Sequence, residues 1–587
     1  RFMGDKILNF FKHLSVTKRV LLGIITLLVI GYIFCLPRQL FHVPYSTVVT
    51  DRNGELLGAR IASDGQWRFP PRKTTPEKIR QCLITFEDKN FYYHWGVDPL
   101  SIGRATYQNL KNKRIVSGGS TLTMQTIRLA RNESRTFGEK VIEMILATRL
   151  EFRASKEEIL SMYVSHAPFG GNVVGLDAAS WRYFGHSAED LSWAEEIIDS
   201  STYELAVSEP LPDEPHPLPQ IAPHLVSRFY QERNGRYSRT TINKGMQTHI
   251  EDLAERWSNE FNRSDIRNLA ILVIDIPSNQ VVAYCGNVHF DRKQGGNQVD
   301  VIQAPRSTGS ILKPFLYYAM LQEGSMLPDM LLPDVPVNIN GYTPQNFSMQ
   351  YEGAVPASEA LARSLNIPAV TMLQRYGVPK FHNFLQQIGF KTISRPSSHY
   401  GLSLILGGAE ATLWDVTNAY AQMGRSLVTG HSDSETPVSS KEAEARIIVE
   451  EDTKNRAVQH KSIWDKGAVW QTFNALKEVN RPEEIDWKAI PSMQPVAWKT
   501  GTSYGFRDAW AVGVTPRYAV GVWVGNATGE GKPGLVGAQT AGPVLFDIFN
   551  YLPSSSWFER PTGVFIDAEV CHQSGHLKGR FCEDIDT

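Results

Sequence analysis

The chain opens with a continuous apolar run, Val20 to Leu36, broken only by Gly23, Thr26 and Gly31. That run sits at the short limit for a membrane-spanning helix, and Tyr32 near its end suits an interface. Between residues 45 and 205 the apolar positions recur at helical spacing. Val141, Ile142, Ile145, Leu146 and Leu150 predict a helix from Lys140 to Glu151, and a second is predicted from Lys156 to Tyr163. Ser155 is placed to cap the second helix, with Glu157 and Glu158 in its first turn. The helical pattern ends at Pro210, Pro212, Pro215, Pro217 and Pro219, which predict a linker between domains.

Beyond the linker the character changes to mixed α/β. Leu269 to Ile276 and Val281 to Tyr284, joined by Pro277-Ser278-Asn279, read as a strand pair. Ala509 to Val514 and Tyr518 to Val524, joined by Thr515-Pro516-Arg517, read as another. The two pairs lie far apart in sequence, so one sheet gathering them around a helical insert is expected. The polar run from His431 to Lys461 reads as a surface excursion, and no internal repeat is visible.

Composition changes this picture little. At 587 residues, 42% hydrophobic and 21% charged, the chain is ordinary globular material with room for several domains. A net charge of -1 gives no reason to expect nucleic acid as a partner. Charge matters locally, because Lys6, Lys12, Lys18 and Arg19 precede the apolar run against one Asp5. That bias puts a short tail in the cytoplasm and the bulk of the chain outside. The stretch from Pro37 to His42 lacks a small-x-small cleavage pattern, so a retained single-pass anchor is favoured over a signal peptide. The sequence starts at Arg1 rather than Met and stops after Thr587, which leaves a longer parent chain open at both ends. Cys35 falls in the anchor, while Cys82 and Cys285 sit in apolar runs as buried thiols. Cys571 and Cys582 lie close together in a polar stretch and read equally as a disulfide or as two free thiols. No cysteine-histidine cluster has zinc spacing.

Three short motifs carry one kind of chemistry. In Ser310-Ile311-Leu312-Lys313 the serine and lysine are three residues apart, on one face of a helix that the turn Arg306 to Gly309 would start at the serine. A serine hydroxyl needs a base to become a nucleophile, and a desolvated lysine amine can serve. Ser364 and Asn366 alternate, so in a short extended loop both face one cleft. Lys499-Thr500-Gly501-Thr502 reads as an edge strand in which Gly501 admits a substrate backbone. Lys499 and the hydroxyls of Thr500 and Thr502 suit a substrate carboxylate. Each fragment alone is weak; the three in order are not.

A second constellation is acidic. Glu87, beside Phe86, Phe91 and Tyr92, is a candidate general base whose neighbours predict a desolvated carboxyl. Lys140 and Glu143 share a helical face with Arg135 upstream, a set able to hold a diphosphate directly or through a divalent metal ion (Mg2+ or Mn2+) on Glu143. By themselves Arg135, Lys140 and Glu143 read better as surface ion pairs, and His94 as a packed histidine.

The serine motifs resemble those of the penicillin-binding transpeptidases and serine β-lactamases. Arg306 to Pro314 and Lys499 to Trp510, with Asp64 to Arg68 and Ser403 to Gly408, are similar to the class A penicillin-binding proteins, especially their 1C branch. Glu87 to Gly96, Gly118 to Gln125, Arg135 to Glu143 and Lys156 to Tyr163 resemble, in order, the four leading motifs of the family 51 peptidoglycan glycosyltransferases. The resemblance implies a helical, lysozyme-like glycosyltransferase domain at 45–205 and an α/β transpeptidase domain at 241–555. Around them it implies a tail at 1–19, an anchor at 20–36, a linker at 206–240 and the start of a further domain at 556–587. It implies that Glu87 activates the acceptor sugar of lipid II and that Lys140 and Glu143 stabilise the donor diphosphate. His94, Ser120, Thr121, Gln125 and Arg135 would bind substrate there. Ser310 would be acylated by a stem peptide or a β-lactam, assisted by Lys313, Ser364, Asn366 and Lys499, with Thr500, Gly501 and Thr502 binding substrate; no cofactor is implied there. The implied partners are lipid II and nascent peptidoglycan at the inner membrane, with the bulk of the chain in the periplasm; nothing sets an oligomeric state.

Two departures qualify the resemblance. Tyr163-Val164-Ser165 replaces the family's Tyr-x-Asn, and a fifth motif is missing between residues 196 and 240. They keep open a transpeptidase or scaffold with an impaired glycosyltransferase domain, or a D,D-carboxypeptidase.

Overall fold

A computed structural model describes residues 15–112, 118–191, 215–292, 295–428, 444–449, 463–481 and 493–586. The chain divides into two units. One comprises Arg1–Val48, Ala59–Pro219 and Tyr230–Tyr237; the other comprises Val49–Gly58, Gln220–Phe229 and Ser238–Thr587.

The first unit is helical. Helix α1 (Val16–Phe34) buries none of its side chains and is long and apolar enough to cross a membrane. It starts and stops earlier than the apolar run suggests: Cys35 and Leu36 lie beyond it, and Leu36 packs into the unit's core. Helices α2 (Glu77–Phe86) and α3 (Pro99–Asn112) follow. Then come α4 (Leu122–Arg131), α5 (Phe137–Glu151) and α6 (Lys156–His166), which enclose Phe91, Leu122, Met124, Ile127, Leu146, Leu150 and Ile159. Their starts are written in the sequence. Thr121 and Thr136 accept the Met124 and Glu139 amides, and Ser155 forms a reciprocal capping box with Glu158. The last turn of α1 is fastened to α5, where Tyr32 Oη donates to Thr148 Oγ1 (3.0 Å) and Arg149 Nε to Ile33 O (3.2 Å).

The second unit is built on one antiparallel sheet. Its strands are β1 (Asn268–Asp275), β2 (Gln280–Cys285), β7 (Ala497–Thr502), β8 (Asp508–Val514) and β9 (Tyr518–Gly525). The order β7-β8-β9-β1-β2 joins the two distant strand pairs, as their patterns predict. Every residue of β1 is buried because both faces are covered. Ala270, Leu272 and Ile274 enter one core, and Leu269, Ile271 and Val273 enter the other. Helices α8 (Lys244–Phe261) and α14 (Ala541–Tyr551) pack on the second set.

Between β2 and β7 lies the predicted helical insert, together with four short strands: β3 (Arg306–Ser307), β4 (Leu331–Asp334), β5 (Gly353–Pro356) and β6 (Glu410–Ala411). The helices used below are α9 (Lys313–Gln322), α10 (Ala357–Ala362), α11 (Asn366–Tyr376), α12 (Leu413–Val428) and α13 (Lys466–Lys477). The unit ends in a small hairpin of β10 (Val570–Cys571) and β11 (Ile585–Asp586).

The expected linker at 206–240 is only partly one. Residues 206–214 lie outside the described residues, as do 196–205, where the missing motif would begin. Helix α7 (Pro223–Glu232) has its Leu225, Val226 and Phe229 buried in the second unit's core. The proline at its first position, where no intrahelical amide is needed, starts a helix rather than preventing one. The excursion from His431 to Lys461 also lies outside the described residues except at 444–449.

Candidate active sites

In the second unit, the three serine motifs meet at the edge strand β7. Ser310 sits in a turn before α9, not in the helix; Lys313 is the first helical residue, and its amide donates to Ser310 O (3.2 Å). The expected helix start at the serine is therefore three residues early. Two glycines permit the approach of this turn to β7. A Cβ on Gly309 (φ +51°) would lie 2.6 Å from Thr502 O, and one on Gly501 would lie 2.8 Å from Thr308 O. The lack of a side chain at Gly501 thus lets β7 pack against the turn that carries Ser310.

Lys313 and Lys499 are both buried, each 1% exposed. Lys313 Nζ donates to Ser364 O and Asn366 Oδ1, both at 2.7 Å, and lies 3.2 Å from Leu365 O and 3.4 Å from Ser364 Oγ. Lys499 Nζ donates to Ser364 Oγ (2.7 Å) and Thr500 O (2.8 Å). Burial, and secondarily the nearby Lys499 charge, push the Lys313 amine well below its ordinary value. Burial alone pushes Lys499 down to about 7. A neutral Lys313 amine has two hydrogens for its two acceptors at 2.7 Å and keeps a lone pair able to take a proton. Ser364 Oγ accepts from Lys499, which leaves its own hydrogen to donate, with Lys313 Nζ 3.4 Å away. Thr502 Oγ1 accepts the Gly537 amide (3.0 Å), so its hydroxyl is partly used by the fold.

The expected extended loop at Ser364 is instead a helix end. Ser364 N donates to Leu361 O and Leu365 N to Ala360 O, the paired bonds that close α10, and Ser364 takes the left-handed position (φ +58°). Glycine normally occupies that place, because a Cβ there costs on the order of 1 kcal/mol. Ser364→Gly and Ser364→Ala both delete the hydroxyl, but only Gly relieves the backbone. We expect thermal unfolding to rank Gly above Ala by about 1 kcal/mol, with both slow in acylation. Equal stability of the two would remove the strain from this account.

Two residues absent from the sequence reading support Asn366. Buried Asn346 accepts the amides of Asn366 (2.9 Å) and Ile367 (3.2 Å) on its Oδ1. Its Nδ2 donates to Asp334 Oδ1 (2.6 Å), and Asp334 Oδ2 accepts the Glu352 amide (3.0 Å). No spacing in a single sequence marks this pair.

In the first unit, α4 organises the acidic cluster. Gln125 Nε2 donates to Glu87 Oε2 (2.8 Å), and Tyr163 Oη donates to Gln125 Oε1 (3.3 Å). Burial first, and then the Glu87 charge, push the Tyr163 hydroxyl up to about 12, so it stays a donor. Glu87 itself is exposed, and Phe86 and Tyr92 are about half exposed, so the expected desolvation is not there; only Phe91 is buried. One turn along α4, Arg128 grips buried Glu143 with two bonds (3.0 and 3.2 Å) and donates to Ser120 Oγ (3.1 Å). Arg128 was missed, since its partner lies on another helix.

Not every expected side chain faces this cleft. His94 uses both ring nitrogens within the fold: Nδ1 accepts the Gly96 amide (3.0 Å), which leaves Nε2 to donate to Asp88 (2.9 Å). It is the packed histidine of the plainer reading. Thr121 Oγ1 is engaged by Gly96 O (2.6 Å) and the Met124 amide (3.1 Å) as a helix cap. Arg135 and Lys140 are exposed, and neither forms an ion pair among the described residues. Both carboxylate oxygens of Glu143, the residue considered for a divalent ion, accept from the Arg128 guanidinium. No other acidic or histidine side chains gather around it as a donor set among the described residues.

Comparison with known proteins matches this division. The transglycosylase family model matches residues 53–207, and the penicillin-binding protein transpeptidase domain matches residues 269–546. The chain is 34% identical over 558 residues to penicillin-binding protein 1C of Escherichia coli, covering 89% of this chain and 70% of that protein. It is 28% identical over 592 residues to penicillin-binding protein 1B of Vibrio cholerae, covering 88% and 73%. The crystal structure of penicillin-binding protein 1A from Haemophilus influenzae shares the fold, with a TM-score of 0.54 at 14% identity over 92% of this chain and 97% of that one. With both family domains in this order and such identity along most of its length, the chain belongs to the class A penicillin-binding proteins, the bifunctional peptidoglycan glycosyltransferase/transpeptidases.

Proposed function

We propose that the chain extends glycan strands from lipid II at the outer face of the inner membrane and cross-links their stem peptides through an acyl-enzyme on Ser310. The observation that carries the second reaction is the network joining Lys313, Ser364, Asn366 and Lys499 one turn from Ser310. In this reading the neutral Lys313 amine takes the Ser310 proton as Oγ attacks the D-Ala-D-Ala carbonyl. The terminal D-alanine leaves, and the amine of a second stem peptide then attacks the ester and regenerates the serine. Lys499 and Thr500 meet the substrate carboxylate, and a β-lactam acylates the same serine.

For the first reaction, Glu87 takes the proton of the acceptor hydroxyl, oriented by Gln125 and Tyr163. The exposed cations Arg135 and Lys140 receive the departing diphosphate, with Arg128 and Glu143 as a neutralised pair behind them. Helix α1 anchors the chain in the cytoplasmic membrane, with the tail inside and the chain beyond Phe34 in the periplasm. A lipid-linked substrate makes that anchor useful, since it must be met at the bilayer surface.

Gel analysis of products from labelled lipid II tests both halves. We expect long glycans that the glycosyltransferase inhibitor moenomycin suppresses, and cross-linked products that disappear on adding penicillin or in Ser310→Ala. Free D-alanine without cross-links would turn the serine site into a carboxypeptidase. No polymer, with Ser310 still labelled by fluorescent penicillin, would leave a transpeptidase beside a silent glycosyltransferase domain.

A further inference from the structure

The C-terminal hairpin holds a cysteine pair that the chemistry above does not use. Cys571 ends β10, and Cys582 lies in the turn before β11. Asp584 O accepts the His572 amide (3.0 Å) and also lies 3.1 Å from Cys582 Sγ, which draws the second cysteine to the residue beside the first. Both are free thiols in this structure, on facing segments of the hairpin where Cys571 pairs with Ile585. The turn after Cys571 is tight: the amides of Ser574 and Gly575 both donate to Cys571 O (3.2 and 2.8 Å).

This turn is also a docking element within the second unit. Ser574 O accepts the Leu331 amide (2.9 Å). A Cβ on Gly575 (φ +63°) would lie 2.0 Å from Asp329 O, so the backbone there is pressed against the residues that lead into β4. The far end of β4 is Asp334, which holds Asn346 and through it the Asn366 backbone. A short strand thus runs from the cysteine turn to the support of the serine site.

We propose that Cys571 and Cys582 form a disulfide that clasps the C-terminal turn onto β4 and so steadies the Asp334–Asn346 support of Asn366. The bond forms by exchange with an external disulfide such as oxidised glutathione. The Cys571 thiolate attacks one sulfur and expels a thiol. Cys582, losing its proton, then attacks the Cys571 sulfur of the mixed disulfide and expels the second thiol. Two thiols are oxidised and one external disulfide is reduced. Cys582 beside it, followed by Ser574, lowers the Cys571 thiol while Cys582 is raised, in keeping with Cys571 attacking first. The assignment rests on the reading that this end of the chain faces an oxidising compartment.

Three forms of the full-length protein in detergent decide it: oxidised with glutathione disulfide, fully reduced, and Cys571→Ser, with Cys582→Ser as a second variant. Peptide mapping after alkylation should show Cys571 and Cys582 blocked and linked in the oxidised form only. Hydrogen exchange at the Leu331 amide should speed up in the reduced form and in both variants. Acylation of Ser310 by fluorescent penicillin should slow in the same three proteins by about 2- to 30-fold, the span of couplings carried through packed elements. Both cysteines alkylating freely after oxidation would overturn the disulfide. A disulfide that leaves Leu331 exchange and acylation unchanged would overturn the clasp. Neither outcome bears on the acyl-enzyme itself, which Ser310→Ala tests separately.

Discussion

Replacing Lys313 by alanine is expected to slow penicillin acylation of Ser310 by about 10³-fold, within the usual range for a lost general base. The amine is buried and held at 2.7 Å from two acceptors, and its environment strips its charge. Alanine removes the proton acceptor and leaves Asn366 Oδ1 and the Ser364 carbonyl without their donor. Lys313→Arg separates the two roles. Arginine keeps the length and the donors but stays charged at any usable pH. If Lys313 works as a base, the arginine protein is as slow as the alanine one; if it works as a structural donor, arginine restores much of the rate. The pH dependence has a definite sign. Because burial lowers this amine, its neutral form persists toward neutral pH, and the rate falls as acid protonates it. Stopped-flow or gel-based labelling across pH reads both effects.

The second large effect is expected at Glu87. Glu87→Gln keeps the shape and an oxygen for the Gln125 amide to donate to, while removing the ability to accept a proton. Polymerisation of labelled lipid II should fall by about 10²- to 10⁴-fold, with fluorescent penicillin still labelling Ser310 at the wild-type rate. Tyr163→Phe removes only the outer bond to Gln125 and should cost far less. A Glu87→Gln protein that polymerises normally would move the base elsewhere, and the exposed position of Glu87 would then mark a binding carboxylate.

Much of this arrangement is legible in the sequence. Local signals travelled well: the apolar spacing of Val141 to Leu150, the Ser155–Glu158 cap, and the apolar, turn-bounded runs of β1, β2, β8 and β9 all depend on neighbours a few residues away. The serine motifs were legible because their residue types are scarce in that order. Contacts between elements were not. Arg128 finds Glu143 across two helices, and Asn346 finds Asn366 across an insert. Ser364 looked extended because the pattern Ser-Leu-Asn carries no mark of a left-handed turn where glycine would be expected. The proline-rich stretch hid a helix because Pro223 falls at the one helical position that tolerates it without loss.

The division of the chain also bears on how the protein is made. The second unit draws on Val49–Gly58 and Gln220–Phe229, both of which the ribosome delivers long before the last sheet strand. Val49 and Leu57 are fully buried in its core beside Leu225 and Phe229. Those apolar segments emerge long before β7, β8 and β9 exist to complete that core. They must therefore wait, unburied, until those strands are made, and the second unit can finish folding only after β9 is synthesised. A clone begun at residue 241 would lack them altogether and leave that core unfilled.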